Sequence, residues 1–572
     1  MKVLTRQKKY KALPPLDTVN RARRILEDCD LFTVEHQTRF EKPVLTTFRV
    51  WLGDEDMNEM NLGTNGKGMT FQYALASAYG EMMERLQNGL LLPQSVRNYL
   101  YCGSHSTLPE SWKRWLRENN ADLDYFYFPD ERWLTMDELL QSAEGVLMAA
   151  FKVDREELLQ LLKIAYEDKD ILCTPYYDLV TDKTYYLPEV LMYLTYASNG
   201  MCAGNTEKEA AIQGLSEIYE RYAIQLAYDD PKVQIPVIDE HYYDGTLVAG
   251  MLKDMQATGI KYEILDMSMG IGLPVVGLRV WKDNGKNIAV HVGADPSPIT
   301  ALERCITELY QISPDKLDIR FHDYQEALKN EMPDKDDEEK WLFWRKERAK
   351  YYVNGTGLPP KTLLTNTGAA FTGFTHPDST DNDSDFDYMI DVGKSVCGHI
   401  LMQNNSFLGF PAFKIVLPGI SDLFLVDLKS NLDLAAQCRI YNHAVTISRL
   451  PTASREEIQD FSDSWQEQMA FKKTDEIGLG FMAPPGTSYP ESFNNEEGIA
   501  KALQDFLASS KTSGGFFSSA EYPNCCQSSC EECNSKDGCC LLAVGRLMKG
   551  IQEKQKTFVA QAEGRKKRGE IA

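Results

Sequence analysis

The chain is 572 residues long, 43% hydrophobic and 25% charged, the composition of an ordinary globular protein with room for two to four domains. Its formal charge of −23 disfavours non-specific binding to nucleic acid and to anionic membranes, and a crowd of carboxylates also suits bound cations. No apolar stretch reaches 18 residues and the opening MKVLTRQKKYKALPPLD lacks an apolar signal core, so a cytoplasmic protein with no membrane and no nucleic-acid partner is expected.

In chain order, an amphipathic helix is predicted over roughly 16–29, and 43–52 (PVLTTFRVWL) alternates as a strand. GTNGKG reads as a glycine-rich turn. It is no phosphate loop, because Lys67 lacks the following Ser or Thr and the five-residue lead. A strong helix pattern runs over 70–91. Residues 92–200 mix helices and strands, with ILCTPYYDLVT and TYYLPEV as strands. A second helix covers about 206–228, strands fill 260–295, and a third helix covers about 297–311. The charged run 314–350 reads as a solvated helix and 374–386 as a polar loop. This α/β (α+β) region closes near 424. Beyond it, 425–572 reads as a helical C-terminal domain of tetratricopeptide type, although the repeat signature itself is absent.

Three of the helices share one pattern. The first, ALASAYGEMMERL, carries Ser77, Glu81, Glu84 and Arg85 at i, i+4, i+7 and i+8, which is one helix face. The second, NTEKEAAIQGLSEIYERYA, carries Asn205, Glu209, Glu217, Glu220 and Arg221. The third, ALERCITELYQ, carries Arg304, Glu308 and Gln311. Small residues between the charges permit close packing, so carboxylates from several helices can converge. Converging carboxylates repel unless cations separate them, and Mg²⁺ takes carboxylate, water and phosphate oxygens together. Arg85, Arg221 and Arg304 suit the phosphates. The plainer reading is that any one Glu-x-x-Glu-Arg is a surface salt bridge.

The three patterns, SxxxExxER, N-x3-E-x7-E-x2-ER and RxxxExxQ, together with TNGKG, GADPSPITALERCITE and FLGFPAFKIVLPGISDLF, resemble the YcaO family over about residues 1–424. The resemblance implies a YcaO-type fold with antiparallel sheets and carboxylate-bearing helices. It implies ATP as cofactor, with Mg²⁺ held by Glu81, Glu84, Glu209, Glu217, Glu220 and Glu308. Of these, Glu81, Glu217 and Glu308 would act in catalysis. Ser77, Arg85, Asn205, Arg221, Arg304 and Gln311 would contact the nucleotide or order the carboxylates. Lys11 and Thr18 match a Lys/Ser pair of the family's first helix, with Thr replacing Ser. Family chemistry is ATP-dependent activation of a backbone amide oxygen, giving azolines, thioamides or amidines, a task of positioning and charge stabilisation.

Azoline-forming members typically end in a proline-rich PxPxP tail, whereas this chain ends GRKKRGEIA. Its length and TNGKG context look like the stand-alone members. Those are linked, as accessory to a radical methylthiotransferase, to β-methylthiolation of small-subunit ribosomal protein 12. The expectation is thus an ATPase of the YcaO type that assists modification of a protein substrate. The alternative is direct amide activation on a peptide. Family members often dimerise, which adds a homodimer to the expectations. Of thirteen cysteines, six cluster at 525–540. Cys526, Cys530, Cys533 and Cys539 are candidates for a Zn²⁺ site, an iron–sulfur cluster or sulfur-handling thiols.

Overall fold

The computed structural model describes residues 11–28, 31–52, 63–91, 131–166 and 170–422, apart from 313, 334–336, 356, 366–367 and 376–380. The expected helical C-terminal domain lies outside the described residues.

Helix α1 (Pro15–Glu27) precedes a meander of β1 (Thr33–Phe40), β2 (Leu45–Leu52) and β3 (Gly63–Gly68), all antiparallel, and α2 (Phe71–Gln87) packs on it. GTNGKG is therefore a strand and not a turn. Its glycines are needed for a close approach: a side chain at Gly66 would collide with the backbone of α2 at Ala74 and Ala78.

A second sheet has the order β4-β5-β13-β14-β7, with β6 paired to β5. It comprises β4 (Arg132–Leu134), β5 (Ile171–Asp178), β6 (Lys183–Pro188), β7 (Met201–Ala203), β13 (Leu401–Asn404) and β14 (Ala412–Val416). Helices α3 (Met136–Phe151) and α4 (Arg155–Tyr166) bury Leu139, Leu147, Leu158 and Leu162 against it. TYYLPEV is a strand only as far as Pro188. Pro188, which cannot donate to a ladder, ends β6 and caps α5 (Glu189–Tyr196).

The third sheet runs β12-β11-β10-β9-β8, from β8 (Val237–Ile238), β9 (Lys261–Asp266), β10 (Val275–Lys282), β11 (Asn287–Ala294) and β12 (His322–Asp323). Strands β10 and β11 are apolar on both faces, as befits the middle of a covered sheet. Val276, Leu278 and Val280 meet α7 (Leu247–Ala257) and α8 (Pro298–Leu309). Ile288, Val290 and Val292 face the core beneath α6 (Glu207–Asp229).

After a helical turn, α9 (Tyr324–Ala327), come α10 (Glu338–Asn354) and α11 (Asn382–Val396). The charged run is thus solvated on one face only: Lys340 and Lys350 are exposed. Trp344 and Arg348 are 2% and 3% exposed, and the Arg348 guanidinium sits over the rings of Tyr228, Trp344 and Tyr352 while pairing with Asp229. The polar loop expected to 386 ends earlier. Asp381 caps α11 by accepting from the Ser384 N–H, so DNDSDFD is largely helix N-terminus.

Candidate nucleotide and metal site

Three strand–helix units of one construction, β3–α2, β7–α6 and β11–α8, carry the site. Each helix is capped by a hydroxyl: Thr70 accepts from the Tyr73 N–H, Thr206 from the Glu209 N–H, and Ser297 from the Thr300 N–H. Each strand lies close on its helix. Gly214 of α6 faces Cys202, where a Cβ would come within 2.9 Å of Sγ, and a Cβ on Gly293 of β11 would stand 2.5 Å from Ala301 O. Eleven residues past each cap stands a glutamate, Glu81, Glu217 or Glu308, and fourteen past stands Glu84, Glu220 or Gln311. Fixed caps and fixed offsets bring these side chains to the same level of three helices.

Some of their contacts stay within one helix and others cross between elements. Arg85 lies 3.4 Å from Glu81 and 3.6 Å from Glu84, and Arg221 lies 3.1 Å from Glu217. Lys67 of β3 pairs with Glu308 of α8. Gln311, with its amide nitrogen turned to Glu308, donates to both carboxylate oxygens at 3.1 and 3.2 Å. Arg304 donates to Gln213 of α6 (2.7 Å) and to Asp295 (3.1 Å). The Asn65 N–H donates to Glu81 (3.2 Å). Ser77 is exposed one turn before Glu81.

The carboxylates sit uneasily. Burial pushes Glu84 well above its usual range; Arg85 opposes this, while Glu217 and Glu81 add to it. Burial pushes Glu220 up to about 7, against Arg221 and with Glu217, and Arg304 and Lys67 pull it back. Glu84 on α2 thus feels α6, and Glu220 on α6 feels α8.

Lys11, Thr18, Asn205 and Glu209 form a neighbouring group. The Thr18 hydroxyl donates to Asn205 Oδ1 (2.9 Å), and Asn205 Nδ2 donates to Glu209 (3.1 Å). Glu209 also accepts from the Ala12 N–H (2.8 Å) and pairs with Lys11 at 3.5 Å. Its oxygens are engaged by the N-terminal segment, unlike the five glutamates beyond it.

Among the described residues, no three His, Cys, Asp or Glu side chains could by themselves hold a metal ion. Mg²⁺ binds through one or two carboxylates and completes its octahedron with phosphate oxygens and water. Crowded, half-buried carboxylates favour such a cation, so the donor set fits Mg²⁺ held jointly with a polyphosphate.

Sequence reasoning missed Lys67, Gln213 and Asp295. Gln213 could have been found, since Glu209, Gln213 and Glu217 follow at i, i+4 and i+8. Cys305 is a buried small side chain, as expected, with its thiol donating to Val276 O and Ala301 O. Cys526, Cys530, Cys533 and Cys539 lie outside the described residues. No helix among those residues is long and apolar enough to cross a membrane.

Residues 65–421 match the family model described as YcaO cyclodehydratase, ATP- and Mg²⁺-binding. The chain is 30% identical over 291 residues to an uncharacterized protein of Haemophilus influenzae, covering 49% of this chain and 45% of that one. It is 28% identical over 374 residues to the ribosomal protein S12 methylthiotransferase accessory factor YcaO of Escherichia coli, covering 63% and 58%. The chain spans about half the length of these curated relatives. Similar solved structures include a heterocyclase in complex with substrate and cofactor, at 19% identity and TM-score 0.46, covering 74% of this chain and 56% of that one. Another is YcaO from Methanopyrus kandleri bound with AMPPCP and Mg²⁺, at 14% identity and TM-score 0.41, covering 72% and 93%.

Proposed function

The chain belongs to the YcaO family, an ATP- and Mg²⁺-binding family, and from that premise we propose that it activates a backbone amide of a peptide or protein substrate at the expense of ATP. The observation that carries this reading is the convergence of Glu81, Glu84, Glu217, Glu220 and Glu308 from three helices, interleaved with Arg85, Arg221, Arg304 and Lys67. Bound Mg-ATP supplies the phosphoryl group that turns an amide oxygen into a leaving group. The chain's own part is positioning. The glutamates hold the cation side, and Arg85 and Arg221 steady their carboxylates in the empty site and turn to phosphate in the loaded one. Asp295 and Gln213 fix the Arg304 guanidinium, so its charge is pre-oriented.

A second reading is favoured by the 28% identity to the Escherichia coli accessory factor. Here hydrolysis serves a partner, a radical methylthiotransferase acting on a basic ribosomal protein, for which an acidic surface is complementary. The two readings part on one point. Amide activation requires that a peptide substrate accelerates hydrolysis and is itself altered in mass; the accessory role requires that nucleotide changes partner affinity with the peptide unaltered.

Mg²⁺-dependent ATP binding and hydrolysis by wild type, Glu81→Ala and Glu308→Ala, with metal analysis of each, tests the site. Each variant should stay folded and lose about ten-fold or more in Mg-ATP affinity. Binding indifferent to both glutamates would leave the three helices as salt-bridged scaffolding.

A further inference from the structure

A short turn at the outer edge of the third sheet carries chemistry that the reading above leaves unused. Strand β8 ends at Ile238, and Glu240–Tyr243 follows as a single helical turn, capped by Asp239, which accepts from the His241 N–H at 2.9 Å. Tyr243 is fully buried, whereas Tyr242 beside it is 47% exposed. The stretch 370–374 runs alongside, with Ala370 bridged to Val237 of β8, and sets half-buried Phe371 and Phe374 against the Tyr242 ring. Ring centroids lie 5.5 Å from Tyr242 to Phe371, 5.9 Å from Tyr242 to Phe374 and 5.1 Å between the two phenylalanines, each pair edge to face. Leu247, which opens α7, is 57% exposed. Single exposed apolar side chains are ordinary, but three joined rings left partly in water mark an interaction surface.

The rim of this patch is acidic. Asp239, Glu240 and Asp244 are exposed on either side of Tyr242 in the chain. Asp244 pairs with His241 at 3.0 Å, and Glu240 accepts from the Tyr262 hydroxyl. Among the described residues, no lysine or arginine forms an ion pair with any of the three carboxylates. A ring face with carboxylates around it matches one side chain above others. A guanidinium is planar, stacks on tyrosine and pairs with carboxylates through its edge, while its stem covers apolar surface. The charge of −23 on the whole chain draws a basic partner towards it.

We propose that Tyr242, Phe371 and Phe374, rimmed by Asp239, Glu240 and Asp244, dock an arginine-bearing basic segment of a partner polypeptide. The inference goes beyond the function proposed above and rests on it only in that the partner is a polypeptide. Phe371 and Phe374 pack on the core cluster that includes Cys305 and Ile306 of α8, so the docked segment is tethered to the layer that bears Glu308.

The test is titration calorimetry of the full chain, at about 0.15 M salt, with a short synthetic peptide of arginine, leucine, glycine and serine and with its lysine and glutamate counterparts. Wild type is compared with Tyr242→Ala, with the pair Asp239→Asn and Asp244→Asn, and with a control pair, Asp137→Asn and Asp170→Asn, which removes equal charge from exposed positions elsewhere. Circular dichroism verifies folding. Saturable binding of the arginine peptide is expected, weakened about ten-fold by Tyr242→Ala and several-fold by the Asp239 and Asp244 pair. The lysine peptide should bind several-fold more weakly and the glutamate peptide not at all. The control pair should bind as wild type does, and Mg-ATP affinity should be unchanged in every variant. Absence of saturable binding overturns the proposal, as does wild-type affinity in folded Tyr242→Ala. Equal losses in the two aspartate pairs would mean that net charge alone attracts the peptide, which also overturns it. A wild-type dimer that Tyr242→Ala splits, seen by sedimentation, would give the patch to a second copy of the chain instead. Should Tyr242→Ala fail to fold, the comparison of the two aspartate pairs decides. Peptide binding without Mg-ATP binding sinks the ATP reading and spares the patch; Mg-ATP binding without peptide binding does the reverse.

Discussion

Replacing Gly293 by alanine adds one carbon at the point where β11 and α8 touch. The new Cβ would stand 2.5 Å from Ala301 O and 2.9 Å from Arg304 Cβ. Ordinary contact begins near 3.4 Å, so the gap must open by about 0.9 Å at the carbonyl. Both obstacles belong to α8, one of them backbone, so no side-chain rotation relieves them; the helix backs away from the strand. Overpacking of this kind costs about 1–3 kcal/mol of stability. The functional cost is larger, because Arg304 and Glu308 ride on the displaced helix, and a shift of about 1 Å at a reacting site can cost about a hundred-fold in rate. Gly145→Ala in α3 is the control. Nothing lies within 4 Å of a Cβ there, so it should stabilise by about 0.5–1 kcal/mol through helix propensity alone, with Mg-ATP binding unchanged. Urea unfolding and nucleotide titration of both variants decide the matter. Wild-type Mg-ATP affinity and wild-type stability in Gly293→Ala would refute the seating of α8 described here, and with it the account of how the third helix reaches the other two.

Burial raises Glu84 and Glu220, so both carboxyls hold protons more tightly than usual in the empty site. Mg²⁺ requires them ionised, so its uptake releases protons near neutral pH, and Mg-ATP affinity falls as pH drops from 8 to 6. Calorimetry in buffers of different ionisation enthalpy measures that release, and a proton count of zero at pH 7 contradicts the raised values. Arg348→Ala removes a buried guanidinium from its aromatic surround and leaves Asp229 without that partner, for a loss of about 3 kcal/mol in urea unfolding. Arg348→Met, which refills the space, should lose less; equal losses would mean that charge and not packing sets the cost.

The motif helices were legible because their chemistry is written in spacing. Offsets of four and seven place carboxylates on one face whatever the helix packs against, and the Thr70, Thr206 and Ser297 caps are local signals. The errors fall where tertiary contact overrides local preference. GTNGKG has the composition of a turn, yet it is a strand because α2 lies too close for any side chain at Gly66. The 314–350 run has the charge of a solvated helix, yet Trp344 and Arg348 are buried by Tyr228, a residue more than a hundred positions earlier, which no local window contains.

The same division explains which site residues sequence reasoning reached. Glu81, Glu217 and Glu308 stand at one offset from three hydroxyl caps, so a reader of spacing finds them. Lys67 occupies a different kind of position, opposite Thr47 on the middle strand of a three-stranded sheet, and meets Glu308 only because that sheet delivers it across 241 residues of chain. Its role follows from register. Strand β3 alternates, so Lys67 and Asn65 share one face while Gly66 and Gly68 turn the other toward α2. A slip of one residue would aim the lysine at the backbone of α2 and leave Glu308 without its counter-charge. The glycines that admit α2 to one face of the strand therefore also fix which face carries Lys67 to the site, so that packing and electrostatics here are set by a single register.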